Sequence, residues 1–175
     1  MNKTSFWLLS FILFLLNIGQ GHSQCNDTTD ATLEETTSWI SQKLNLYGYR
    51  QLPPVNYKVS FNKSEMKIIE IGMDSNLEMK DTVSIVKIRL ENLDLSKLYF
   101  REINKAKNRF AMTLVGKGNS MYYFSRAMGK LENVPYEIIL NADAEENLPE
   151  RLIRALKHGY CISGGSTDKK VQEKF

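Results

Sequence analysis

The residue types able to do chemistry are few and widely spaced. The chain holds two histidines and two cysteines in 175 residues. His158 and Cys161 stand three positions apart, a spacing that could pair an imidazole with a thiolate. Beyond them lie Ser163 and Ser166, the serines nearest His158 in sequence, but no nucleophile-elbow motif surrounds either. A metal centre would need two or three nitrogen or sulfur ligands at recognisable spacing, and no such spacing occurs. The acids Asp143, Glu145 and Glu146 lack the length and the glycine of a calcium loop. They read as acids favoured at the positive end of a helix dipole. Glu70, Asp94 and Glu137 fall on strands or turns, and a pair of hydrolytic carboxylates among them cannot be read without distances. Gly164-Gly165-Ser166 follows a helix, so it cannot offer N-terminal amides to a phosphate. No catalytic, cofactor-binding or metal-binding residue is therefore assigned. The plainest reading of His158 is an exposed residue in the last turn of a helix, where a charged imidazole is favourable.

Aromatic and basic residues give the more promising pattern. Tyr99, Arg101, Tyr122, Tyr123 and Arg126 lie on two strand-like stretches. Alternate strand residues face opposite ways, so one of Tyr122 and Tyr123 must point outward. These five form the candidate contact patch; ordinary sheet packing of aromatics is the competing explanation. Asn26-Asp27-Thr28 and Asn62-Lys63-Ser64 match the glycosylation sequon, a short pattern that arises by chance.

The elements that would position these residues follow from periodicity. Thr32-Leu33-Glu34-Glu35 has capping-box form, and the apolar spacing after it predicts a helix over 33–47, stopped by Gly48. Seven strands are then predicted: Tyr57–Phe61, Met66–Ile71, Thr82–Leu90, Leu98–Ile103, Phe110–Val115, Met121–Met128 and Tyr136–Leu140. Gly116-Lys117-Gly118-Asn119 reads as a hairpin turn, and Gly129 to Asn133 as another turn. The chain closes with an amphipathic helix, capped near Asn147, with Pro149 in its first turn and Leu148, Leu152 and Leu156 on one face. That face is the natural cover for a sheet.

Bulk composition bounds the rest. Length fits one domain, 32–165, followed by a mobile tail at 166–175. The 23 basic and 20 acidic residues leave +3, too even a balance for a nucleic-acid binder. Lys3, the apolar run Phe6–Leu16 and the small residues Gly21 and Ser23 make residues 1–23 a signal peptide, with cleavage after Ser23 and no integral membrane segment afterwards. Gln24 before Cys25 makes a poor lipidation site, so the expected product is secreted or periplasmic. Export puts Cys25 and Cys161 in an oxidising compartment, and a bridge between them would add roughly 4 kcal/mol by loop-closure entropy. Whether they are bridged is left open.

Seven short strands followed by one closing helix resemble the pleckstrin-homology-like barrel. The stretches "AEENLPERLIRALKHGYCISGG" and "TTSWISQKL" resemble a family of small secreted bacterial proteins of unassigned activity. The resemblance implies an α+β fold: a PH-like seven-stranded antiparallel barrel or orthogonal sandwich closed by the C-terminal helix, here with an extra N-terminal helix. Signalling relatives bind inositol phosphates through the first hairpin; here that hairpin offers Lys58, Lys63 and Lys67 without the following arginine. The functional expectation is a secreted, non-catalytic module that binds a protein or cell-envelope component, with no cofactor. A small extracytoplasmic hydrolase using carboxylates or His158 is the alternative.

Overall fold

The computed structural model describes residues 25, 30–51, 53–73, 78–104, 108–132, 134–141 and 145–165. The expected signal peptide at 1–23, the stretch 166–175 expected to form a tail, the sequon at Asn26 and the acid Asp143 lie outside the described residues. Helix α1 spans Leu33–Tyr47. Strands β1 (Tyr49–Gln51), β2 (Pro54–Asn62), β3 (Glu65–Met73) and β4 (Met79–Arg89) follow. Two 3-10 turns, Leu90–Asn92 and Leu95–Lys97, lead into β5 (Tyr99–Asn104) and β6 (Arg109–Leu114). Next come β7 (Tyr122–Ser125), β8 (Gly129–Leu131), β9 (Tyr136–Asn141) and helix α2 (Leu148–Ile162).

The fold is α+β, and every strand pairing among the described residues is antiparallel. A six-stranded sheet has the order β1-β2-β3-β4-β7-β8, and a three-stranded sheet the order β5-β6-β9. Single residue pairs, Gly48–Leu140 and Leu93–Gly116, bridge the sheets without closing them into a barrel.

Three strand expectations need correcting. Gly129–Leu131, read as a turn, is β8, and Gly129 enters it at φ +76°, where the absent Cβ removes the steric penalty. Tyr49–Gln51, for which no element was expected, is β1, paired with Val55 and its neighbours. Gly116–Asn119 does not close a hairpin, because β6 pairs with β5 and β9 whereas β7 pairs with β4 and β8. It carries the chain from one sheet to the other. Lys117 N–H donates to Asn92 O at 2.8 Å and Asp94 N–H to Val115 O at 2.8 Å, which pins the crossing against the 3-10 segment.

Helix α1 begins with the anticipated reciprocal cap: Glu35 N–H donates to Thr32 Oγ1 at 3.2 Å and Thr32 N–H to Glu35 Oε2 at 2.8 Å. Asn147 occupies the cap position of α2, but at φ 54° its side chain makes no capping bond; its carbonyl accepts from Arg151 N–H at 3.1 Å. Pro149 sits in the first turn as expected.

Leu148, Leu152 and Leu156 are fully buried. At about 1.5–3 kcal/mol each, they commit α2 to the interior. The helix packs on α1 and on the turn Leu90–Asn92, while α1 lies over β2. Ile40 and Leu44 from α1 join Val59, Ile68, Val86, Met112 and Ile138 from the two sheets in one core. The helices are also clasped by charge. Glu145 accepts from Lys43 Nζ at 2.6 Å and from Arg151, and both cations lie over the Trp39 ring at 5.7 and 5.3 Å. The Lys43 hydrogen bond, with a further one from Tyr47, holds the Glu145 carboxyl below its ordinary range.

Beyond the short strand β1, the outer edge of β2 would expose backbone groups. Asn45 closes that gap. Its amide oxygen accepts from Val59 N–H at 2.7 Å and its amide nitrogen donates to Val59 O at 2.9 Å, so one side chain stands in for a strand.

Candidate functional site

Residues that could have assembled a hydrolytic centre are dispersed. His158 is 5% exposed, not a surface residue as the sequence suggested, and its Nε2 lies 2.8 Å from Ala31 O. It fastens α2 to the chain entering α1, a partner 127 residues away that helix position alone cannot reveal. Cys161 lies at bonding distance from Cys25, with Cα atoms 5.4 Å apart, and so supplies no thiolate to His158. Ser163 donates to Gly159 O at 2.6 Å within its own helix end. Asp94 caps the turn Leu95–Lys97 through Ser96, and this bond lowers its pKa. Glu137 pairs with Arg101 at 3.3 Å on the exposed face of the small sheet.

Glu70 is the exception among the acids. It is 5% exposed and follows Met66 and Ile68 on the inward register of β3. Ser84 donates to its Oε2 at 2.7 Å, and Arg50 Nη1 lies 3.9 Å from its Oε1. Around it stand three tyrosines. Burial pushes Tyr57 up to about 12, although its hydroxyl oxygen accepts from Ile139 N–H at 3.3 Å. Burial raises Tyr136 further, with Glu70 adding to the effect, and its hydroxyl makes no hydrogen bond. Tyr123 meets Tyr136 edge to face, with ring centroids 5.2 Å apart. The only sequence signal of this cluster was an acid standing where the alternation called for an aliphatic residue. Its placement at the junction of β1, β3, β4 and β9 makes it a polar lock between strands.

The aromatic and basic residues singled out by sequence divide between the two sheets. Tyr99 and Arg101 lie on β5 of the three-stranded sheet. Tyr122 points outward from β7 and is 42% exposed; Tyr123 points inward. Arg126, in the β7–β8 turn, bonds Asp81 at 2.8 Å. They do not share one face.

Tyr122 instead belongs to a larger surface. Inward residues of β3, β4 and β7 are buried, Tyr123 partly so, and the outward ones make a face that no described helix covers. The strand register places Lys58, Ile69, Ile85, Phe124 and Lys130 in one row across five strands. Ser60, Lys67, Lys87 and Tyr122 form the row beside it. Lys87 Nζ stands 6.0 Å from the Tyr122 ring centroid. Glu65, Lys67, Ile85, Lys87, Arg89 and Tyr122 line a shallow groove of about 470 Å³. The result is an aliphatic and aromatic floor bordered by cations.

No family model, curated protein or solved structure matches the chain. Its function must be read from its own side chains.

Proposed function

We propose that the protein is an exported, non-catalytic binding module and that its contact surface is the outer face of the six-stranded sheet. The observation that carries this reading is the pair of uncovered rows that sets Ile85 and Phe124 beside Lys67, Lys87 and Tyr122. An exposed patch of this kind on a folded domain usually marks a contact site. The partner is a component of the cell envelope or its surroundings, met in a secreted or periplasmic setting. The leader-like residues 1–23 support that address, and a cysteine pair at bonding distance fits an oxidising compartment. Among the described residues no helix is long and apolar enough to cross a membrane.

The PH-like arrangement forms part of the same reading. It is supported by the order of antiparallel strands followed by a terminal helix with a buried apolar face, together with the resemblance carried by residues 144–165. Fold alone would not identify a ligand.

Retention of native envelope material on the immobilised protein tests the module reading. A stoichiometric component should bind the wild type and be lost on Phe124→Glu, which places a charge in the middle of the face. Turnover of a substrate panel, abolished by His158→Ala or Glu70→Gln without unfolding, would establish a hydrolase instead.

A further inference from the structure

Four features of the outer face narrow its ligand. First, Lys67 and Lys87 are directly opposite each other in the β3–β4 register. Like charges at such a position oppose sheet formation, and neither lysine has a carboxylate within ion-pair distance among the described residues. Arg89, two residues after Lys87, faces the same way; it stands opposite Glu65 in the register and, among the described residues, its ion pair is with Glu91 at 3.6 Å. Glu65 is the one acid lining the groove. Cations therefore outnumber acids there, and an anion between Lys67 and Lys87 would relieve their repulsion.

Second, Tyr122 and Phe124 are 42% and 37% exposed on this face, so each offers apolar ring surface to a ligand. Third, the groove is shallow and crosses several strands, which suits an extended ligand rather than a small molecule sealed in a cavity. Fourth, β3, β4 and β7 are each paired on both edges. They offer no free backbone groups for an incoming peptide strand, which removes the main source of affinity in strand addition. A nucleic acid carries a denser line of charge than this scattered set of cations would match. A chain of rings whose C–H faces stack on aromatics and whose periphery carries spaced anions matches both the exposed rings and the cations.

We infer that this face binds a uronate-bearing polysaccharide, with sugar rings on Tyr122 and Phe124 and carboxylates held by Lys67, Lys87 and Arg89. The inference rests on the module reading above and adds the ligand's class. Lys58 and Lys130 stand at opposite ends of the neighbouring row; Lys58 extends the path across the sheet, whereas Lys130 is paired with Glu132 at 2.8 Å.

Calorimetric titration of the purified exported protein with polygalacturonate, its fully methyl-esterified form, dextran and heparin tests it. Polygalacturonate should bind, and esterification should weaken binding at least tenfold because it removes the charge and keeps the rings. The double substitution Lys67→Gln/Lys87→Gln should weaken binding at least tenfold, and Tyr122→Ala at least fivefold. Thermal unfolding distinguishes these losses from misfolding: the double Gln variant, relieved of its like-charge pair, should melt no lower than wild type. Equal binding of the ester, or binding untouched by these substitutions, would overturn the proposal. So would heparin binding more tightly in proportion to its charge, since that marks undirected attraction. If Phe124→Glu abolishes retention of envelope material while polygalacturonate fails to bind, the ligand class is wrong and the module reading stands.

Discussion

Individual side chains in this protein are most informative where they break the pattern around them. Glu70 occupies an inward position that alternation reserves for an aliphatic residue. Glu70→Ala would leave the buried Ser84 hydroxyl without its acceptor and Arg50 without its partner, and should cost about 3 kcal/mol in urea unfolding. Tyr136→Phe should behave in the opposite way. Its hydroxyl is buried without a hydrogen bond, so deletion should be neutral or stabilise by up to about 1 kcal/mol in the same assay. Glu145 gives a pH signature. Lys43 holds its folded carboxyl below the ordinary value of 4.5, so the folded state binds that proton less readily than the unfolded chain. The stabilisation is complete above about pH 4.5 and is lost as pH falls through the lowered folded value. Melting temperatures measured from pH 7 down to 3 should fall less steeply for Glu145→Gln than for wild type.

At the scale of elements, what could be read from sequence was periodicity, and what could not was pairing. The bounds of α1 follow from a local cap and a local apolar spacing, and the structure places the helix over the anticipated residues 33–47. The inward faces of β2, β3 and β9 follow from alternation in the same way. Alternation does not say which strand lies beside which. The stretch Gly116–Asn119 has the composition of a hairpin turn, yet tertiary packing uses it to change sheets. Burial of His158 was hidden for the same reason, because its partner carbonyl is remote in sequence. The outer-face row was legible residue by residue, as Lys67, Lys87 and Tyr122, but only the β3–β4–β7 register brings these three together. Asn45 makes a related point about α1. It was one polar position on a helix, and it completes the hydrogen bonding of an adjoining strand. Asn45→Ala should free the Val59 N–H, while Ser41 Oγ still donates to Val59 O at 2.7 Å, and cost about 1–2 kcal/mol, with faster amide exchange at Val59 as the local readout.

The whole molecule is held by two kinds of long-range tie. One is the common core that α1, α2 and both sheets share. The other is Cys25–Cys161, which spans 136 residues. Its removal, by Cys161→Ser or by reduction, should lower stability by about 4 kcal/mol through the entropy returned to the unfolded chain. The oxidised protein should show no titratable thiol until denatured and reduced.

The same tie changes what damage means for this molecule. A protease that cuts one exposed turn between the cysteines, such as the one around Gly118, leaves both pieces covalently joined. The nicked product would run as a single species without reductant and as two fragments with it. A protein of this design can lose a peptide bond in the open without shedding half of itself.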